Sequence, residues 1–236
     1  MHQINLSPHV LERVRLLRGH LDARPLDLSK TAHLIVDLQI GFMEVGAPVE
    51  VPFAREIVPA VNSISAAVRE GGGLNVFLRY LYDPEESKQW TTWYERFCHP
   101  DSAARSKKAF ARGAREFELW PELEIRDEDW IVDKTRFSPF TQGTCTLHER
   151  LQERGIETVI VTGTLTNCCC ESASRDAHQL NYDVIFVADA NATLTDDEHN
   201  ATLNNLCLHF ADLAYADVLT KSLRASVAAQ LAQPAA

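Results

Sequence analysis

Short apolar runs along the chain alternate with stretches whose apolar positions recur every three or four residues. Residues 32–38 (Ala-His-Leu-Ile-Val-Asp-Leu), 74–80, 130–134, 157–162 and 184–188 read as strands, and residues 217–219 as a last short one. Between them, Ile57, Val61, Ile64 and Val68 repeat at helical spacing until Gly71-Gly72-Gly73 ends the run. Further helices are predicted over 144–153, stopped by Gly155, and over 169–180. Thr195-Asp196-Asp197-Glu198 has the order of a capping box and opens a helix running to about Leu213. Strands apolar on both faces that alternate with helices build a covered parallel sheet. The expected fold is therefore α/β: a three-layer α/β/α domain over residues 1–236, with a mostly parallel six-stranded Rossmann-like sheet and helices on both faces.

Two segments stand outside this alternation. Residues 1–30 form an N-terminal helical extension, with Ser7 at the N-cap, Pro8 at the first helical position, an apolar stripe of Val10, Val14, Leu17 and Leu21, and Pro25 at the end. Residues 81–129 lose periodicity but carry Trp90, Trp93, Tyr94 and a basic patch at Arg105, Lys107 and Lys108. A connection this long is usually functional or disordered, and its aromatic content argues against disorder. It is expected to cover the active site.

Composition narrows the partners. The 236 residues are 45% hydrophobic and carry a formal net charge of −10, which disfavours nucleic acid and anionic membrane surfaces. No apolar window reaches the roughly 18 residues of a membrane span, and the N-terminus lacks the order of a signal peptide, so a cytoplasmic location is expected. Six cysteines, three of them adjacent, form neither a disulfide framework nor a zinc-ligand pattern. No cofactor or metal is called for. The absence of GxGxxG after the first strand also argues against dinucleotide binding.

The candidate chemistry concentrates where the run Val159-Ile160-Val161-Thr162 breaks at Gly163 and re-enters helix at the cysteines. This junction sets the first helical side chains above the carboxyl end of a strand, where open α/β sheets bind ligands and a helix N-terminus favours thiolate. Asp37 and Lys134 also follow strand ends, so Asp37, Lys134 and Cys169 share one edge of the sheet. A carboxylate there can accept a thiol proton, and an amine can hold the carboxylate. Successive helical residues point about 100° apart, so one of the three cysteines is expected to face the cleft.

The segments Asp37-Leu-Gln39, Lys134-Thr-Arg-Phe-Ser138-Pro-Phe140 and Gly163-Thr-Leu-Thr-Asn-Cys-Cys169-Cys-Glu-Ser, in that order, resemble the isochorismatase-like cysteine hydrolase superfamily. That superfamily includes nicotinamidases, N-carbamoylsarcosine amidohydrolases and ureidoacrylate amidohydrolases. The resemblance implies Cys169 as nucleophile, a cis peptide between Thr164 and Leu165, and an oxyanion hole from the backbone N–H groups of Leu165 and Cys169. It also implies a small-molecule substrate and a homo-oligomer, dimer or tetramer. The metal-binding Asp-x-His segment of nicotinamidases is missing, so metal and nicotinamide are dropped. Isochorismatases that cleave a vinyl ether generally lack the cysteine, so an amide, ureido or carbamoyl C–N bond is the expected target. A vinyl-ether hydrolase with an idle cysteine, or a non-catalytic binding module on the same scaffold, is the alternative.

Other residues carry open readings. Gln39 either positions Asp37 or contacts substrate, and Asn167 orients the turn or caps a helix. Phe42, Trp90, Trp93 and Phe137 are candidate substrate contacts, with Trp90, Trp93 and Tyr94 equally suited to a lid or a subunit contact. Arg79 and Arg136 hold a substrate carboxylate or form ordinary ion pairs. His178, His199 and His209 receive no chemistry.

Overall fold

The computed structural model describes residues 1–19, 26–85 and 90–231. Leu21 and Pro25 lie outside them. Six strands, β1 (Thr31–Val36), β2 (Leu74–Tyr80), β3 (Trp130–Lys134), β4 (Thr158–Thr164), β5 (Asp183–Ala192) and β6 (Asp212–Ala214), form one sheet in the order β3-β2-β1-β4-β5-β6. Every neighbouring pair is parallel. In chain order the helices are α1 (Pro8–Arg18), α2 (Ile40–Met43), α3 (Val58–Glu70), α4 (Pro100–Ala109), α5 (Leu147–Glu153), α6 (Glu171–Gln179), α7 (Asp196–His209) and α8 (Ala216–Leu231).

The sheet is covered by two apolar layers, as its uninterrupted strands require. Ile35, Phe77, Ile160, Ile185 and Val187 point to one face, against Val61, Ile64 and Val68 of α3 and Leu219 and Leu223 of α8. Leu34, Val36, Leu78, Val161 and Phe186 point to the other, against Leu147 and Leu151 of α5, Ala173 and Ala177 of α6, and Leu203 and Leu206 of α7. The connections therefore change face between β1 and β4, the two central strands. In a doubly wound sheet such a switch opens a crevice beyond the carboxyl ends of the strands.

Several boundaries differ from the sequence pattern. The last strand is Asp212–Ala214, and residues 217–219 lie in α8. Their apolar residues belong to an amphipathic helix: Leu219 is buried while Val218 is 59% exposed. α7 ends at His209 instead of about Leu213, because Asp212–Ala214 pair with Ile185–Val187 of β5. β5 runs on to Ala192, where a register shift in β4 lets Asn191 and Ala192 pair with Gly163 and Thr164. In α1 the expected stripe packs only in part: Val14 is buried, but Leu17 is 63% exposed. Ser7 makes no side-chain cap there. At α7, by contrast, Thr195 Oγ1 accepts the Glu198 N–H.

A histidine sits in the middle of the core. His33 of β1 is fully buried, with Nε2 2.8 Å from Thr162 Oγ1 and Nδ1 3.2 Å from Ser65 Oγ. Burial pushes its pKa down to about 3, and that of His199 on α7 down to about 4. Because these folded values lie below the unfolded value of about 6.5, unfolded chain binds more protons in the interval. Stability is thus present above pH ~6.5 and falls on acidification, by up to about 1.4 kcal/mol per pH unit for each histidine. Urea unfolding at pH 7, 6 and 5 is expected to show this decline. His33→Gln is expected to give a shallower decline, and an unchanged slope would exclude His33 as a source of it.

Candidate functional site

Three polar side chains meet beyond the carboxyl ends of β1, β3 and β4. Asp37 follows β1 directly, with its N–H still donating to Leu78 O at 3.0 Å as if the ladder continued. Its backbone then turns into the left-handed region, φ 53°, a conformation that aspartate tolerates better than most residues. This turn leads the chain away from the sheet and leaves the carboxylate at the rim. Lys134, the last residue of β3, reaches across β2 to donate from Nζ to Asp37 Oδ2 at 2.7 Å, and both side chains have zero exposure. Lys134 Nζ also donates to Arg136 O at 3.2 Å.

Cys169 arrives from the neighbouring strand. Gly163, near the end of β4, has φ 124°, and a Cβ there would collide with the Val36 backbone of β1. Glycine therefore lets the two central strands approach closely where the carboxylate and the thiol must meet. The Thr164–Leu165 peptide is cis. The chain then winds through a π-helical turn, Thr166–Cys170, before entering α6. Leu165 O accepts the N–H groups of Cys168 and Cys170, on either side of Cys169.

The electrostatics follow from burial in apolar surroundings. Desolvation raises the Asp37 pKa above the ordinary carboxylate value, opposed by the Lys134 charge and by the adjacent Cys169 thiol. Burial works against the charge on Lys134, but Asp37 together with the neighbouring Cys169 holds its pKa above the ordinary lysine value. For Cys169, contact with Cys168 and burial, with the Asp37 charge, push the pKa well up against the pull of Lys134, the reverse of the thiolate preference expected from a helix N-terminus alone. That same thiol contact lowers Cys168. Burial raises Cys170.

Above the thiol lies a cavity of about 210 Å³, lined by Phe42, Tyr80, Trp93, Phe110, Phe137 and Leu165, with Val49, Ser106 and both Cys168 and Cys169 at its wall. The expectation that one cysteine alone faces the cleft is thus corrected. The wider i→i+5 winding of the π turn lets two neighbours share the cavity. Trp93, Ser106 and Phe110 come from the aperiodic 81–129 segment. Trp90 stacks on Trp93 with centroids 5.7 Å apart, and both meet Phe137 edge-on at 4.9 Å. Beyond Phe137 a second recess of about 410 Å³ is lined by Trp90, Arg136, Ser138, Thr141, Ser172, Arg175 and Asp176.

Several candidates fall elsewhere. Gln39 is fully buried; its Nε2 donates to Tyr80 O and Phe117 O, and its Oε1 accepts the Tyr80 N–H. It replaces a backbone pairing partner beyond the end of β1 and does not line the cavity. Arg79 forms ion pairs with Asp133 at 2.8 Å and Glu118 at 3.7 Å, and its guanidinium lies over Phe117. It is not a cavity residue. Arg136 rests on Trp90 at 4.9 Å and donates from Nη1 to Thr135 O at 2.9 Å, with no carboxylate within ion-pair distance among the described residues. Asn167 Oδ1 accepts from Thr193 Oγ1 at 2.7 Å. Tyr80, Val49, Ser106, Phe110 and Cys168 escaped the sequence reading. Of these, Tyr80 was accessible to it, as a strand-end residue in register with Lys134.

A doubly wound parallel sheet with polar side chains gathered around an apolar cavity at its switch point is an α/β/α protein built to hold a small molecule. The chain belongs to the isochorismatase family: the isochorismatase domain model matches residues 31–217. It is 32% identical over 179 residues, 75% of this chain and 86% of the relative, to YwoC of Bacillus subtilis, an uncharacterized isochorismatase family protein. It is 31% identical over 186 residues, 72% of this chain and 73% of the relative, to the ureidoacrylate amidohydrolase RutB of Variovorax paradoxus. Among solved structures, a cysteine hydrolase from Pseudomonas syringae pv. phaseolicola superposes with a TM-score of 0.77 at 25% identity, covering 88% of this chain and 98% of that one. The family is one of hydrolases that includes amidohydrolases. Among the described residues no helix is long and apolar enough to cross a membrane.

The buried pair makes a thermodynamic prediction. Removing one partner leaves an uncompensated charge, at a cost of about 3–5 kcal/mol, whereas removing both need not. Urea unfolding of Lys134→Met and Asp37→Leu is expected to show large losses, with the double variant more stable than either. Additive losses would mean that the charges do not depend on each other.

Proposed function

We propose that the protein is a cysteine hydrolase that cleaves an amide-type C–N bond of a small molecule through a thioester. The observation that carries this reading is the fully buried Lys134–Asp37 pair at 2.7 Å beside a thiol at the wall of an apolar cavity. Two buried charges and a cysteine are expensive to assemble, and their packing alone supplies no reason for them.

In this mechanism Asp37, made more basic by burial, takes the Cys169 proton as the sulfur attacks the substrate carbonyl carbon. Charge moves to the carbonyl oxygen, where the N–H groups of Leu165 and Cys169 act as donors; losing one such donor typically costs about 100-fold or more in rate. Collapse breaks the C–N bond, and protonated Asp37 gives its proton to the departing nitrogen. Water then loses a proton to Asp37 and attacks the thioester, releasing the acid, and Asp37 returns the proton to sulfur. Lys134 stays charged throughout, fixing Asp37 and offsetting the negative charge that travels through the site.

The cavity fits an apolar or planar group next to the scissile bond. For a substrate that also carries a carboxylate, Arg136 is the better-suited cation: it lines the adjoining recess, whereas Arg79 is occupied by Asp133. Residues 81–129 act as the cover that supplies Trp93 and Phe110. The site works on small molecules without a cofactor, in a homo-oligomer and in the cytoplasm.

Ammonia release from ureido acids, carbamoyl amino acids and simple amides provides the test. Cys169→Ala is expected to lose at least 1,000-fold in kcat, Cys170→Ala less than tenfold, and quenched wild-type reactions to contain an acyl adduct on the Cys169 peptide by mass spectrometry. A dead Cys168→Ala with an active Cys169→Ala would move the nucleophile by one residue. Full activity of Cys169→Ala on isochorismate would instead support vinyl-ether hydrolysis. Arg136→Met is expected to raise KM at least tenfold for carboxylated substrates and less than twofold for neutral amides; equal effects would remove Arg136 from substrate recognition.

A further inference from the structure

The segment before α1 is extended and docks along α7 by a spacing match. Asp196, Asn200 and Asn204 recur every four residues on α7, about 6 Å apart, close to the advance of two residues along an extended chain. Their side-chain oxygens accept the N–H groups of Gln3, Asn5 and Ser7 at 3.2, 2.6 and 2.9 Å. Asn200 Nδ2 returns a hydrogen bond to Gln3 O at 2.8 Å.

This arm carries His2 into the interior, where it touches two residues that in turn bind the cysteine turn. His2 Nε2 accepts the Thr193 N–H at 3.0 Å, so its Nδ1 carries the proton donated to Asp196 Oδ1 at 2.8 Å. Thr193 Oγ1 donates to Asn167 Oδ1 at 2.7 Å, two residues before Cys169. The His2 ring also stacks on His199, centroids 4.4 Å apart. His199 Nε2 donates to Ala188 O at 3.0 Å, which leaves Nδ1 to accept the Thr166 hydroxyl at 2.9 Å. Thr166 and Asn167 are the first two residues of the π turn, and Thr166, Thr193 and His199 are fully buried. The turn's backbone N–H groups bond within it, to Leu165 O and Thr166 O, but the side chains of Thr166 and Asn167 find their partners outside it.

We propose that residues 1–7 form a positioning strap for the Cys169 turn, with His2 as the positioning residue that couples the docked arm to Asn167 through Thr193 and to Thr166 through His199. The inference rests on the reading of Cys169 as nucleophile for its catalytic consequence, but the mechanical coupling can be measured without substrate. The strap does not touch the reacting atoms. It acts by holding the sulfur in line with Asp37.

The test uses the full chain with His2→Ala, His2→Gln and Thr193→Val. The His2→Gln substitution keeps an acceptor near the Nε2 position, and Thr193→Val removes the hydroxyl link to Asn167 while leaving the arm docked. Hydrogen exchange of the amides of residues 165–170 is expected to accelerate at least tenfold in His2→Ala and in Thr193→Val, and to return to within threefold of wild type in His2→Gln. On a substrate the wild type turns over, kcat of His2→Ala is expected to fall at least tenfold with KM within twofold, again recovered by His2→Gln. Unchanged exchange and unchanged kcat in His2→Ala and Thr193→Val would overturn the proposal, as would a loss in His2→Ala that His2→Gln fails to restore. Should His2→Ala not fold, Thr193→Val and His2→Gln decide the same question. Full activity of Cys169→Ala alongside accelerated exchange in His2→Ala would instead overturn the nucleophile assignment and leave the coupling standing.

Discussion

A buried ion pair between residues 97 positions apart, Asp37 and Lys134, is the constraint on which the site depends. Neither charge could be kept in so apolar a setting without the other, because each alone would bear the full cost of desolvation. The pair therefore fixes the distance between the ends of β1 and β3 across β2. Gln39 reinforces the same three-strand rim from the next residue but one, by standing in for a missing backbone partner of Tyr80. The carboxylate is thus held rigidly by the sheet, and only the sulfur has to be brought to it.

That second task falls to the turn after β4, and it is accomplished by close backbone approach. Gly163 lets β4 run against Val36 where any side chain would force the strands apart. The π turn then presents two consecutive thiols to one cavity, which a regular helix would not do. The side chains of the first two residues of this turn are held from outside it, Thr166 by His199 of α7 and Asn167 by Thr193 just beyond β5.

The cavity and the recess beside it differ in lining. Aromatic rings from β2, from the 81–129 segment and from the residues after β3 form an apolar wall around the thiol. The adjoining recess is mixed: Arg136, Ser138, Arg175 and Asp176 share its wall with Trp90 and Phe137. Excluding water from the first strengthens the interactions among Asp37, Lys134 and Cys169, whereas the second can remain wet.

Strand number, parallel pairing and the rim addresses of Asp37, Lys134 and Cys169 were legible in the sequence, because fully apolar strands and glycine breaks are local signals with a direct structural meaning. The ends of α7 and β6 were not: apolar residues at 212–219 satisfy a strand and an amphipathic helix equally, and only pairing with β5 separates them. Likewise, nothing local distinguishes Arg79 from Arg136, since what differs is Asp133 standing beside one and Trp90 beneath the other. The burial of His2 against His199 and the wall built by Phe110 and Tyr80 are contacts between distant segments. Local pattern determined which elements form and which side chains reach the rim, and tertiary packing decided which of those side chains meet, because that depends on distances no single segment contains.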